Sequence, residues 1–146
     1  MNTKLKKSNA IYKSTEYSNL RELLNNSVKL FPNNNAFIIK NAENKNVTYK
    51  NITYKEFQED INYLGTALIN IGLKNKRIAV ISKNRYEWAV SYLATVNGTG
   101  IVIPLDKGLP EQEIISSLNR SLADAVIFDE DHADIMKKIQ NMNSTT

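Results

Sequence analysis

The sequence has no cysteine among its 146 residues, and it contains only five glycines, three prolines and one histidine. The absence of cysteine excludes disulfides, thiolate metal sites and cysteine nucleophiles, and it suits a reducing compartment. No apolar run approaches the roughly 20 residues that a membrane-spanning helix needs. The basic N terminus also lacks the apolar segment of a secretory signal peptide. We therefore expect a cytoplasmic protein without a transmembrane segment.

Charge is unevenly distributed along the chain. Four of its 19 basic residues lie within the first thirteen positions, so the remainder balances 15 basic against 15 acidic residues. A neutral body does not provide the basic surface that nucleic-acid binding requires, and we expect no nucleic-acid partner. The predicted organisation is a basic flexible leader at 1–16, one folded unit at 17–141 and a polar end at 142–146.

The first part of the folded unit combines a helix with a hairpin. Apolar residues recur at helical spacing from Leu20 to Phe31, and Pro32 follows as a stop. Two short β-prone runs, 37–39 and 47–49, are separated by a polar, asparagine-rich loop. This pattern predicts one amphipathic helix and a short antiparallel hairpin.

From Thr53 onward the pattern alternates between helix and strand. Thr53 and Glu56 have the spacing of a capping box, and Gly72 supplies the residue that ends the helix. The predicted apolar stripe of this helix is Phe57, Ile61, Leu64, Leu68 and Ile71. A second capping pair is predicted at Asn84 and Glu87.

Three short apolar runs, 77–82, 101–103 and 125–128, alternate with further helical patterns. Strands that are apolar on both faces are typical of a parallel sheet. The predicted fold class is α/β, with a parallel sheet carrying helices on both faces, preceded by the N-terminal helix and the hairpin. The helical stripes expected to be buried are Trp88, Tyr92 and Val96, then Ile114, Ile115, Leu118 and Leu122, and finally Ile135 and Ile139.

The segment 96–106, VNGTGIVIPLD, is the stretch that looks most like a ligand-binding loop. A phosphate loop requires a strand, then glycines ending in Lys-Ser/Thr, then a helix. Here the glycines follow a helix and precede a strand, and the segment has no lysine. We therefore predict structural roles: Gly98 ends the helix, Gly100 lets the chain pass close under that helix, Pro104 ends the strand, and Asp106 caps a loop amide.

At these residues the sequence resembles the adenylate-forming superfamily of acyl-CoA synthetases, peptide-synthetase adenylation domains and luciferases. The family motif Leu-Ser/Thr-Tyr-x-Glu-Leu is similar to residues 52–57, ITYKEF, and Ala-Gly-x-x-x-x-Pro-Leu-Asp is similar to residues 97–106. The chain departs from these motifs by Phe57, by Asn97 and by an extra glycine at position 100. Residues 83–88, KNRYEW, resemble a segment of the long-chain fatty-acyl branch. The resemblance covers roughly residues 17 to 140.

The resemblance implies that this chain is an incomplete domain, the N-terminal subdomain of a long-chain acyl-CoA synthetase. The parent enzyme would use ATP, Mg²⁺ and CoA to convert a fatty acid to its acyl-CoA through an acyl adenylate. The family's phosphate loop and its C-terminal catalytic lysine have no counterpart here, and Ser144–Thr146 is too short for such a loop. We therefore expect no catalytic, cofactor-binding or metal-binding residue in this chain, and an inactive scaffold. Its partner would be the remainder of the same polypeptide, with self-association through the exposed truncation face.

Several polar or aromatic residues are candidates for function, and each has a simpler structural explanation. We expect His132 to lie at the surface, Arg85 to be solvated rather than bound to an acyl-CoA phosphate, and Trp88 and Tyr92 to belong to the core. The acidic group Asp129, Glu130, Asp131 and Asp134 lacks the spacing of a calcium loop. We instead expect Asp129 or Asp131 to cap the last helix, with the other carboxylates favouring its positive end.

Two alternatives to a fatty-acid ligase remain open. The chain could be a complete, non-catalytic binding or regulatory module with a flavodoxin-like sheet, which would have a well-sealed surface. It could also belong to the same superfamily with an aryl or amino acid as substrate. Under the fatty-acid ligase hypothesis, we expect alanine or glutamate at Ile101 or Ile103 to abolish folding through a cavity or a buried charge.

Overall fold

The computed structural model describes residues 15–43 and 46–143, so most of the predicted leader and the end at 144–146 lie outside the described residues. The chain forms five α-helices and five β-strands within these ranges: α1 (Leu20–Leu30), β1 (Asn35–Glu43), β2 (Asn46–Thr53), α2 (Tyr54–Asn70), β3 (Arg77–Ile81), α3 (Tyr86–Ala94), β4 (Ile101–Pro104), α4 (Glu111–Ser121), β5 (Ala125–Phe128) and α5 (Ala133–Asn143). A π-helical turn (Thr95–Thr99) follows α3, and a 3₁₀ turn (Glu130–His132) precedes α5. This architecture confirms the predicted α/β class, with its N-terminal helix and hairpin.

The N-terminal part packs as one apolar cluster. β1 and β2 pair antiparallel, with Phe37 opposite Ile52. Buried residues from α1, α2 and α3 pack around this hairpin. Phe37 lies edge-on to both Phe57 and Tyr86, with ring centroids 4.9 Å and 5.1 Å apart. The aromatic contacts join the hairpin to α2 and α3.

The parallel sheet places β3 in the centre, in the order β4-β3-β5. Ile78 lies opposite Val102 on one side and Ala125 on the other. The four residues Ile78–Ile81 are at most 1% exposed, because both edges and both faces of β3 are covered. Ala79 and Ile81 pack against α4 and α5. This confirms the sequence prediction of a strand that is apolar on both faces.

Three residues predicted to be buried are exposed instead. Ile71 is 72% exposed because α2 ends at Asn70 and position 71 is already its C-cap. Leu122 is 66% exposed because it leaves α4 in the left-handed conformation. Ile101 is 58% exposed, since it opens β4, an edge strand of the described sheet. The expectation that Ile101 fills the sheet interior is therefore wrong.

One predicted capping box is confirmed and the other is wrong. The Thr53 hydroxyl accepts from the Glu56 amide at 3.2 Å, and the Glu56 carboxylate accepts from the Thr53 amide at 2.7 Å. The bond from the Thr53 amide, followed by a second bond that the Thr53 hydroxyl donates to the carboxylate at 2.8 Å, lowers the pKa of Glu56. α3, by contrast, begins after Arg85 without any side-chain cap, so Asn84 does not cap it.

The buried side of α3 differs from the predicted stripe. Its buried residues are Val90, Ser91 and Ala94, and Thr95 continues this side into the π-helical turn. Trp88 and Tyr92 are only half-buried. Their rings stack on each other, with centroids 5.2 Å apart and planes 19° apart. The prediction that these two rings belong to the core is wrong, because the buried side of α3 is formed by Val90, Ser91 and Ala94.

Candidate functional site

A crevice opens at the carboxyl end of the parallel sheet, between β3 and β5. The helix after β3, α3, packs with the hairpin cluster, whereas α5, after β5, packs with α4 against the other face of β3. Neighbouring parallel strands whose connections lead to opposite faces leave a crevice at their carboxyl ends, where open α/β sheets bind ligands. The crevice has a volume of about 230 Å³. It is the candidate functional site.

The lining of this crevice is more acidic than basic. It includes the carboxylates Glu87, Asp129 and Glu130 and a single cation, Arg85. Arg85 is already paired, with its Nε 2.7 Å from Glu87 and its Nη1 3.4 Å from Glu130. The bond to Glu87 raises the pKa of Arg85 and lowers that of Glu87. The described lining of the crevice therefore has no unpaired cation that could bind an anionic ligand such as a phosphate.

Asp129 joins the ends of two strands. One carboxylate oxygen accepts the amide of Lys83 at 2.8 Å, just after β3, and the other lies 2.5 Å from Nδ1 of His132. Burial alone would raise the pKa of Asp129, but the hydrogen bonds from Lys83 and His132 outweigh it and hold the pKa below its ordinary value. Asp129 is therefore an ionised, buried carboxylate with both oxygens in use.

His132 is buried rather than exposed. It retains 6% of its accessible surface, and its Nε2 lies 3.3 Å from the carbonyl oxygen of Lys107, in the loop after β4. The prediction of a surface histidine is wrong, because the 3₁₀ turn before α5 directs the ring inward. A signal was present in the sequence: the only histidine lies three positions after an aspartate that directly follows a strand.

The acidic residues after β5 do not cap the last helix. Asp129 precedes the 3₁₀ turn without a side-chain cap, and Asp131 binds Nζ of Lys83 at 2.6 Å. The hydrogen bond from Lys83 to Asp131 raises the pKa of Lys83. The capping prediction is wrong, since both carboxylates bind the segment after β3. In the described part of the chain, no group of three or more His, Asp or Glu residues could hold a metal ion.

The glycine-containing segment has structural roles, as predicted, but the predicted neighbour of Gly100 is wrong. Gly98 has a φ of +128° at the end of the π-helical turn, and Asp106 accepts the amide of Gly108 at 2.7 Å. Gly100 does make a close approach, but its neighbour is the backbone of Lys76 in the loop before β3, not the preceding helix. Pro104 pairs as the last residue of β4. None of the four takes part in the crevice lining.

Comparison with known sequences identifies the family. A sequence model of the family described as "AMP-binding enzyme" matches residues 24–146. The chain belongs to this family. Over 67 residues it is 33% identical to a malonate–CoA ligase of Arabidopsis thaliana, a match that covers 46% of the chain and 11% of that protein. The chain thus spans only about a tenth of this relative's length.

Solved structures agree with the family assignment at the level of the fold. A protein of Rhodopseudomonas palustris described as a long-chain-fatty-acid CoA ligase matches 84% of the chain with a TM-score of 0.72 at 21% identity. The anthranilate CoA ligase AuaEII, solved with anthranoyl-AMP, matches 86% of the chain with a TM-score of 0.72 at 17% identity. The matches cover 30% and 23% of those chains. The fold is that of the N-terminal subdomain of adenylate-forming enzymes.

In residues 15–43 and 46–143, no helix is both long and apolar enough to cross a bilayer.

Proposed function

We propose that the chain forms the N-terminal part of an ATP-dependent long-chain fatty acid–CoA ligase. The observation that carries the proposal is the family match along residues 24–146. The KNRYEW segment at 83–88 resembles the long-chain fatty-acyl branch, and this resemblance is our reason for proposing a long-chain fatty acid as the substrate. In the proposed reaction, the fatty-acid carboxylate displaces pyrophosphate from ATP to give an acyl adenylate. The CoA thiol then displaces AMP to give the acyl-CoA.

The role we propose for these 146 residues is that of a scaffold. The crevice offers three carboxylates and one paired guanidinium, so it has no unpaired cation for the phosphates of ATP, and within the described residues no three carboxylates come together to hold a metal ion. We therefore assign ATP, Mg²⁺ and CoA binding to the remainder of the same polypeptide. Self-association of the isolated chain and a cytoplasmic location stay predictions.

A second candidate substrate is an aryl acid. AuaEII, an anthranilate CoA ligase, fits the fold as well as the protein described as a long-chain-fatty-acid ligase, with a TM-score of 0.72 in both cases. Fold similarity therefore does not discriminate between the two acids. A stand-alone, non-catalytic binding module is the alternative of a different class.

The decisive experiment measures pyrophosphate release from ATP by the protein that the whole open reading frame encodes, with palmitate, benzoate, malonate and an amino acid offered separately. The isolated 146-residue chain is the matched control. We expect palmitate-dependent release, CoA-dependent formation of palmitoyl-CoA, and no activity in the control. Preference for benzoate would favour the aryl alternative, and an open reading frame that stops after Thr146 would favour the binding module.

A further inference from the structure

A second cleft, with a volume of about 140 Å³, opens between α1, α2 and the π-helical turn that follows α3. It shares no lining residue with the crevice at the carboxyl end of the sheet. Its described lining contains no carboxylate, and its polar side chains are Arg21, Asn62, Thr66, Asn97 and Thr99. The second cleft therefore differs in charge from the crevice, which has three carboxylates and a paired cation.

Arg21, in the first turn of α1, supplies the positive charge of the second cleft. Within residues 15–43 and 46–143, its guanidinium makes no hydrogen bond or ion pair. The neighbouring acid, Glu22, is turned toward the start of the helix, where its carboxylate accepts the amide of Ser18 at 2.9 Å. The guanidinium lies over Gly98 instead, so close that a β-carbon at position 98 would overlap Nη2. The N–H groups of Arg21 are therefore available at the cleft.

Asn97, in the π-helical turn, adds an acceptor to the same cleft. Its Oδ1 is buried and accepts no hydrogen bond from the described residues. Native proteins satisfy nearly all buried polar atoms, because an unsatisfied one is costly. On α2, the side chains of Asn62 and Thr66 lie one turn apart and likewise have no partner in the described ranges. The second cleft thus combines a cation and neutral donors with one acceptor that needs a proton.

We propose that the second cleft binds a hydrogen phosphate group. Its anionic oxygens accept from Arg21 and from the donors on α2, and its P–OH group donates to Oδ1 of Asn97. At about 30 Å³ per water, a cleft of 140 Å³ accommodates several water-sized groups, and so an ion of the size of phosphate. Free phosphate and the phosphate of a monoester share this chemistry, and the test separates them. The proposal does not depend on the ligase function.

Sulfate provides a matched comparison for the ligand. It is tetrahedral and anionic like phosphate, but it carries no proton at neutral pH, so it has no hydrogen bond to donate to Oδ1 of Asn97. Phosphate should therefore bind about tenfold more tightly than sulfate, which is the effect of leaving one buried acceptor unsatisfied. This preference distinguishes the proposed site from a surface that attracts any anion.

The test titrates the 146-residue chain with phosphate, sulfate and glycerol 3-phosphate, each at neutral pH and constant ionic strength, and follows the amide signals by NMR. We expect saturable shifts of the backbone amides of Gly98 and Thr99 and of the side-chain amide of Asn97. Tighter binding of glycerol 3-phosphate than of phosphate would support the site with a monoester as its ligand, and weaker binding would support it with free phosphate. No saturable shift with phosphate, or equal affinity for sulfate, would overturn the proposal.

Three variants separate the site from a general charge effect. Arg21→Gln should weaken phosphate binding about tenfold or more, because it removes a charge-assisted hydrogen bond. Asn97→Ala, which introduces the alanine of the family motif, should still bind both anions but lose the preference for phosphate over sulfate. Arg120→Gln, in the last turn of α4 and outside the cleft, removes the same charge and should bind phosphate like the parent. Equal losses in the two arginine variants would contradict the site.

Discussion

The backbone of Gly100 lies against the backbone of Lys76, and a β-carbon at position 100 would overlap the Lys76 carbonyl oxygen. The same carbonyl accepts the amide of Ile101 at 2.9 Å, so it positions the first residue of β4. The φ of Gly100 is −172°, an extended conformation that any residue adopts. The requirement for glycine is therefore steric and comes from the neighbouring chain.

Gly100→Ala tests this close approach. We expect a loss of about 1 to 3 kcal/mol in the free energy of unfolding, because the methyl group must displace backbone rather than a flexible side chain. Gly65→Ala is the matched control, since a β-carbon there meets its nearest atoms at 3.4 Å inside α2. Alanine has a higher helix propensity than glycine, which offsets this contact. The free energy of unfolding of the control should therefore stay within about 1 kcal/mol of the parent value. Urea denaturation measures both, and equal losses would contradict the steric explanation.

Ile78 and Ile101 provide a second comparison, between the central strand and an edge strand. Ile78 is fully buried and Ile101 is 58% exposed. We expect Ile78→Val to cost about 0.5 to 1.5 kcal/mol and Ile78→Ala about 2 to 5 kcal/mol, because the shortened side chain leaves a cavity. Ile101→Ala should cost less than about 1 kcal/mol and should still fold. Loss of cooperative unfolding in Ile101→Ala would restore the expectation that this residue belongs to the sheet interior.

Tyr86 links α3 to α2 through a hydrogen bond from its hydroxyl to Asp60, at 2.7 Å. We expect Tyr86→Phe to lose about 0.5 to 1.5 kcal/mol, because the ring stays in the aromatic cluster and only the hydrogen bond disappears. A double-mutant cycle with Asp60→Ala, which removes the acceptor, measures the coupling between the two side chains. Tyr63→Phe, at a residue that is 72% exposed, should be nearly neutral. A loss in Tyr63→Phe as large as in Tyr86→Phe would contradict a specific role for the Asp60 bond.

Tyr86 should also make the free energy of unfolding decrease at alkaline pH. Burial, followed by the bond to Asp60, raises the pKa of Tyr86 well above its usual range. Because the folded state retains the phenol proton, this contribution is present below the ordinary tyrosine pKa of about 10 and is lost as the pH rises further. Denaturation curves of the parent should fall more steeply above this pH than those of Tyr86→Phe. Parallel curves would show that Tyr86 ionises freely in the folded state.

Asp124 should confer stability that is sensitive to acid. Its carboxylate accepts the amide of Arg77 at 2.8 Å and Nζ of Lys76 at 3.1 Å, which joins the starts of β3 and β5. The backbone bond from Arg77, then the bond from Lys76, lowers the pKa of Asp124. A lowered pKa stabilises the fold above the ordinary aspartate value of about 3.9, and this contribution is lost as the pH falls from that value toward the lowered one.

The measurement compares the acid denaturation of Asp124→Asn with that of Asp134→Asn. Asp134 has a side chain that is 94% exposed and makes only a 4.0 Å ion pair with Lys137, so its variant should follow the parent. Asp124→Asn should be less stable than the parent at neutral pH and should lose less stability on acidification. Identical pH profiles for the two variants would exclude the strand-joining role.

Local patterns were sufficient to predict most of the fold. The Thr53–Glu56 box, the left-handed Gly72 and the three apolar runs each follow from short-range chemistry, and the structure confirms them. Errors occur where a helix or sheet ends. Ile71 and Leu122 continue a helical stripe in sequence, but the helix has already stopped at each position.

The crevice could not be predicted because its contacts are non-local. Asp129 binds Lys83, which lies 46 positions earlier, and His132 binds Lys107, 25 positions earlier. Periodicity identifies neither pair, since both depend on the order in which the strands pair. A hydrophobic pattern likewise cannot predict that Ser91 and Thr95 are buried, because both residues are polar. Their hydroxyls can be buried because they donate to the carbonyl oxygens of Glu87 and Ser91, four residues earlier.

The central position of β3 has a consequence for biosynthesis. This strand leaves the ribosome before both of its neighbours, and its second partner, β5, is complete only at residue 128. The hairpin of β1 and β2, in contrast, pairs residues that are adjacent in the chain, so it closes early. Until β5 emerges, the most apolar strand lacks one of its neighbours, which is when a nascent chain is most exposed to aggregation. Chaperone demand during synthesis should therefore be highest while residues between β3 and β5 are being added.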